Sequence, residues 1–269
     1  MNCSFVTSFT FPSLKALALS LRYLCVLGGE VRVTVTDRKE HSEVCFAVIG
    51  DTKRNYAEVL FNRVVNGKIW TERFDGYCDV NSTYCFVVHG PLFLRVLRLF
   101  EGSETFTIKL SSDLTTIFVH GDGLERGARL SVLHDLGPHL NVEHGVGYFH
   151  SIPNTREFQH VVEFVKSSDE IACCISIDFN DMYSFIELKT STATASVAID
   201  NQSIQSRVEG GAAIEELASF ASLASSVGLD AKLSVGVGSG GLVVFKLEWN
   251  SCVSENSEKS VAYLYSCVG

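Results

Sequence analysis

Apolar positions along this chain keep two rhythms, one of three-to-four residues and one of two. The clearest case of the first is Phe93, Val96, Leu97 and Phe100, which fall at i, i+3, i+4 and i+7. That spacing puts four side chains on one side of a helix and leaves Arg95 and Arg98 on the other. Gly90-Pro91 stands at the start, where proline gives up no needed N–H, so a helix is predicted over 90–101. Two β-rich runs, 105–110 and 115–120, follow it directly.

The same design recurs. Leu14, Leu17, Ala18 and Leu21 repeat the spacing after Phe11-Pro12, with Lys15 and Arg22 off that side. Phe158, Val161, Val162 and Val165 repeat it after Ile152-Pro153, with Arg156, His160 and Lys166 elsewhere. A fourth helix is predicted over 212–227 from Ile214, Leu217, Phe220, Ala221 and Ala224. It contains no lysine or arginine and points serines and two glutamates outward.

The two-residue rhythm predicts strands at 3–11, 30–36, 44–49, 84–89 and 129–136, with 56–70 read as extended. Beyond a break at Gly137-Pro-His-Leu-Asn-Val-Glu-His-Gly145, a strand is expected from Tyr148, before Pro153, and further strands at 171–179, 183–189, 192–199, 230–235, 242–249 and 261–265. Each half then runs strand, helix, several strands, helix, two-strand hairpin, last strand. The pattern is that of a diverged duplication, with an N-terminal domain at 1–136, a connector at 137–147 and a C-terminal domain at 148–269. The expected class is α+β, with antiparallel sheets backed by two helices in each domain.

Composition narrows this picture. A 46% hydrophobic content supports packed cores, and a 20% charged fraction argues against global disorder. The net charge of −9 counts against a uniformly basic nucleic-acid binder but leaves room for a local basic surface. The nine cysteines form no CxxC pair, which favours reduced thiols and an intracellular compartment. Lys15 and Arg22 interrupt the apolar run 14–29, so a helix is expected there rather than a signal peptide. No run approaches the length that a membrane span requires.

Candidate chemistry is sparse. His134, His139, His144 and His150, with Asp135 and Glu143, are the best metal candidates. Their gaps fit neither a helical i, i+4 pair nor a compact finger, so solvated loop histidines are expected, with no metal and no cofactor. Gly236-Val-Gly-Ser-Gly-Gly241 lies between two strands, not before a helix, and reads as a hairpin turn. No nucleophile elbow is present.

Four stretches in order carry a resemblance. They are Leu133-His-Asp-Leu-Gly-Pro-His-Leu-Asn-Val-Glu-His-Gly-Val-Gly-Tyr148, Ile152-Pro-Asn-Thr-Arg-Glu-Phe158, Leu242-Val-Val-Phe-Lys-Leu247 and Val261-Ala-Tyr-Leu-Tyr265. Together they resemble the DNA sliding-clamp superfamily, the rings of the proliferating-cell-nuclear-antigen type. Three departures stand out: a long irregular stretch at 50–80, an insert from Asn250 to Ser260, and a fourth helix without a basic side. These resemble subunits of the heterotrimeric nine-one-one checkpoint clamp.

The resemblance implies a non-catalytic subunit that encircles double-stranded DNA without reading sequence. Lys15, Arg22, Arg95, Arg98, Arg156 and Lys166 would line the hole and meet phosphates. Leu140 and Val142 of the connector, with His41 beside them, would form a pocket for partner peptides. Ring closure would use strand edges at 105–119 and 171–179. The implied partners are two other clamp subunits, a clamp loader, and repair and checkpoint proteins in the nucleus, with no membrane. A replicative homotrimeric clamp is the alternative. An α+β enzyme using the histidine-rich 134–150 stretch is the second.

Overall fold

A computed structural model describes residues 5–11, 14–37, 42–50, 55–63, 83–103, 106–121, 127–133, 146, 148–179, 184–200, 208–228, 230–238, 242–250 and 259–266. The chain divides into two compact units. The first gathers Met1–Val48, Glu58–Pro138 and Asn250–Ser260; the second gathers Ile49–Ala57, His139–Trp249 and Val261–Gly269.

From the N-terminus, and mostly within the first unit, the chain runs β1 (Phe5–Phe11), α1 (Leu14–Leu27), β2 (Glu30–Asp37), β3 (Ser42–Ile49), β4 (Asn55–Arg63, whose first three residues belong to the second unit), β5 (Thr83–His89), α2 (Gly90–Arg98), β6 (Phe106–Ser111), β7 (Thr116–Gly121) and β8 (Gly127–Ser131). The second runs β9 (Phe149–Ile152), α3 (Thr155–Lys166), β10 (Ala172–Phe179), β11 (Ser184–Lys189), β12 (Thr194–Ile199), β13 (Val208–Ala213), α4 (Ile214–Ser226), β14 (Lys232–Val237), β15 (Val243–Asn250) and β16 (Lys259–Ser266). The order is the same in both: strand, helix, four strands, helix, hairpin, strand. The fold is α+β with antiparallel sheets and two similar domains, as the periodicities predict.

In the first unit β1-β6-β7-β8 form one sheet, and β5-β2-β3-β4 lie side by side in another. In the second the corresponding orders are β9-β14-β15-β16 and β13-β10-β11-β12. Every strand pair with a recorded register is antiparallel, as short connections favour. Strands β14 and β15 form a hairpin, with Val237 opposing Val243 and Gly238 N–H donating to Leu242 O at 2.8 Å; residues 239–241 lie outside the described residues.

Strand β13 is the one the alternation does not reveal. Its sequence, Val208-Glu-Gly-Gly-Ala-Ala213, has little β propensity. Pairing recruits it: Ile177 opposes Val208, and Ala172 opposes Ala213. A second expectation is corrected outright. Strands β6, β7 and β10 are not edges, because each has a neighbour on both sides; the edges of these sheets are β1, β8, β12 and β13. Meander connections place a hairpin inside its sheet and push the later strand outward.

The first unit's core is built on aromatic rings. Phe11 stacks on Phe106 at 5.3 Å and meets Phe61 edge-on at 5.3 Å. Phe93, Leu97 and Phe100 of the α2 segment are all at or below 1% exposure, which fixes that helix on the sheet. In the second unit Phe245 of β15 takes the central place, with Phe158 of α3 at 5.5 Å and Phe220 of α4 at 6.1 Å. Burial of one such ring stabilises by about 1.5–3 kcal/mol, so the helix–sheet contacts are the main fixed points of each unit.

Candidate nucleic-acid interface

The cationic residues depend on how each helix starts. At α2, Pro91 stands in the first turn and His89 serves as cap, its Nδ1 accepting from Leu92 N–H at 3.2 Å. At α3, Asn154 Oδ1 accepts from Glu157 N–H at 3.1 Å. Gly90 is required by close approach: a Cβ there would lie 2.7 Å from both Cys25 Sγ and Val31 Cγ2. The chain therefore enters α2 tight against the α1–β2 corner, and α1 and α2 pack side by side.

Between them is a groove of about 580 Å³, lined among others by Leu14, Ala18 and Leu97, with Lys15, Arg22 and Arg98 around it. Glu101, Gly102 and Ser103 also line it. Lys15, Arg22, Arg95 and Arg98 are all exposed. Among the described residues, no ion pair engages any of the four. Three of the six expected cations thus come together at one groove. Arg95 sits on the same helix as Arg98, one turn earlier.

The floor of this groove was not legible as a site. Leu14 and Ala18 share the helical spacing of the core residues, yet both are only half-buried, while Leu17, Ser20, Leu21 and Leu24 face the core. The usable signal is that Leu14, Ala18 and Arg22 recur every four residues as a second stripe beside the core stripe.

The second unit is arranged differently. Arg156 is exposed near the start of α3. Lys166, in the last turn of α3, donates through Nζ to Glu215 Oε2 at 2.7 Å, which ties α3 to the first turn of α4. Helix α4 has no side-chain cap hydrogen bond at Ala213 and carries Glu215 and Glu216 in its first turn. Carboxylates there offset the positive end of the helix. Burial pushes the Glu216 carboxyl upward, and a hydrogen bond from Asn55 partly opposes this.

The remaining expected residues are placed only in part. His41, Leu140 and Val142 lie outside the described residues. So do His134, His139 and His144. His150 is buried on β9 opposite Val235, its ring 5.2 Å from that of Tyr148, and burial holds its imidazole below the usual histidine value. Among the described residues, no group of three or more His, Cys, Asp or Glu side chains is placed to hold a metal. No described helix is long and apolar enough to cross a membrane.

Clustered guanidinium and ammonium groups on a partly apolar floor suit an anion carried on a less polar body, such as a sugar-phosphate chain. Whole-chain comparison defines the class of fold to which this arrangement belongs, that of the PCNA-like sliding clamps. A crystal structure of PCNA from Thermococcus kodakaraensis superposes with a TM-score of 0.71 at 9% identity, covering 98% of this chain and 100% of that one. The PCNA2-PCNA3 complex from Sulfolobus tokodaii gives 0.63 at 11% identity, covering 97% and 98%. The A. fulgidus PCNA bound to the C-terminal region of FEN-1 gives 0.64 at 12% identity, covering 98% and 99%. By sequence, residues 2–136 match the N-terminal domain, and residues 137–264 the C-terminal domain, of the domain of unknown function DUF7881. The chain belongs to that family. No curated protein matches it.

Proposed function

We propose that this chain is a subunit of a ring-shaped sliding clamp that encircles duplex DNA and tethers other proteins to it. The single observation that carries the proposal is a complete two-domain clamp fold with Lys15, Arg22 and Arg98 gathered at one solvent-facing groove. Contacts from such side chains to phosphate are independent of sequence and weaken with salt, which suits a protein that must slide. In this reading Arg95 adds to that surface, Arg156 and Lys166 are the second unit's cations, and Leu140, Val142 and His41 form a peptide pocket. The 137–147 segment joins the two clamp domains.

The ring we propose is heterotrimeric, acts in the DNA-damage checkpoint and in repair in the nucleus, and has no catalytic role. Support comes from the unequal charge of the two units and from the long segments at 50–80 and 250–260, which set the chain apart from a plain repeat. The Sulfolobus tokodaii structure joins two different clamp chains, so a mixed ring is compatible with this fold. The A. fulgidus structure carries a segment of another protein, which supports tethering. Native mass measurement after gentle purification from the source cells tests this reading. Co-purification of two other clamp-like chains is expected; a stable homotrimer would favour the replicative alternative. A lone monomer with no affinity for duplex DNA would overturn the clamp proposal itself.

A further inference from the structure

The helices of the two units differ in charge far more than in shape. Helices α1 and α2 carry four cations, Lys15, Arg22, Arg95 and Arg98, and no carboxylate. Helices α3 and α4 carry two cations, Arg156 and Lys166, against four carboxylates, Glu157, Glu163, Glu215 and Glu216. One of those two cations is already engaged, since Lys166 Nζ lies 2.7 Å from Glu215 Oε2. The start of α4, where free N–H groups would otherwise attract a phosphate, carries two carboxylates of its own.

We infer that the duplex is held by the helices of the first unit and not by those of the second, with the Glu215–Lys166 bridge cancelling one of the two cations on the second unit's helices. This rests on the clamp reading above. Phosphate binding is driven by counterion release, and a lysine whose charge is already neutralised by a carboxylate releases little on meeting DNA. Carboxylates nearby act within a Debye length, about 10 Å at 0.1 M salt, so the exposed Glu157 and Glu163 on α3 repel a phosphate brought to that surface. Each subunit then presents one gripping half and one neutral-to-acidic half. A clamp built this way touches its track at intervals.

The test is the slope of log affinity against log salt for the full chain, assembled with its cellular partners, on a short random-sequence linear duplex. Each lost phosphate contact lowers the slope by about 0.9. The pair Arg95→Glu/Arg98→Glu is expected to flatten the slope by one to two contacts. The pair Arg156→Glu/Lys166→Glu is expected to change it by less than half as much. Glu215→Gln, which releases Lys166, is expected to strengthen binding severalfold at low salt. The neutral pairs Arg95→Gln/Arg98→Gln and Arg156→Gln/Lys166→Gln repeat the comparison if a reversed pair fails to fold. Equal flattening by both pairs, no flattening by either, or no gain from Glu215→Gln overturns the inference while leaving the clamp reading intact. Absence of salt-sensitive duplex binding by the unsubstituted assembly overturns the clamp reading as well.

Discussion

Lys166 Nζ donates to Glu215 Oε2 at 2.7 Å, joining the last turn of α3 to the first turn of α4. Both side chains stay well exposed, at 44% and 69%. Solvent therefore screens the attraction, and holding two long side chains in one geometry costs rotamer freedom. Exposed pairs of this kind contribute about 0–1 kcal/mol. Lys166→Ala is expected to lower unfolding free energy by less than about 1 kcal/mol in urea titration. A larger loss would mean that the bridge holds α3 and α4 together, and its role would be structural.

The opposite is expected one helix earlier in the chain. Phe93 is 1% exposed beneath α2, whereas Arg95 projects from the same helix into solvent. Phe93→Ala removes a buried ring and leaves a cavity, which costs about 3–5 kcal/mol. Arg95→Ala should shift stability by no more than about 0.5 kcal/mol. Urea unfolding of both variants measures the contrast directly. Similar losses for the two would show that Arg95 packs against the fold.

Glu216 gives a pH prediction. Among the described residues, its Oε2 is buried without a hydrogen-bond partner, and burial raises its carboxyl above the ordinary value. A raised folded-state value means that the native chain binds this proton more tightly than the unfolded chain does. The benefit is full below the unfolded value of about 4.3 and is lost as pH rises through the higher folded value. Glu216→Gln keeps the neutral form at every pH. It should therefore leave the melting temperature nearly unchanged in acid and raise it at neutral pH. A neutral-pH melting temperature below that of the parent would contradict the assignment.

Strand β10 holds two adjacent cysteines on opposite sides of its sheet. Cys173 is buried and its thiol is pushed up to about 11, chiefly by burial, while Cys174 is exposed. Cys25 is raised to about 11 for the same reason. Because the thiolate is the reactive form, iodoacetamide at neutral pH should modify Cys174 well before Cys173 or Cys25. Mass mapping of the labelled peptides reads the order. Early labelling of Cys173 would show that β10 opens from its sheet.

Several features of the fold are written in the sequence itself. Phe93, Val96, Leu97 and Phe100 announce α2 by spacing alone, and Pro91 marks its first turn. The repeated order of elements in the two halves is equally plain. Other features are not. His89 as a helix cap is an arrangement of side chain and backbone that no spacing announces. Strand β13 has glycines where a strand should have branched residues, and only its pairing with β10 explains it. The edge positions of β8 and β12 depend on which strands meet.

The charges show the same division. Sequence alone placed Arg95 and Arg98 away from the apolar side of α2, because helical period and solvation leave a charged side chain little choice of side. It also fixed the absence of any lysine or arginine on α4. What it left open was which cations meet and which are cancelled. Lys15 and Arg22 of α1 converge with Arg98 of α2 on one groove, and Lys166 meets a glutamate 49 positions away. Coulomb interactions act through space over a few ångströms, while periodicity describes neighbours along one chain segment. Local pattern therefore settled which residues are exposed, and tertiary packing decided which of them keep an uncompensated charge.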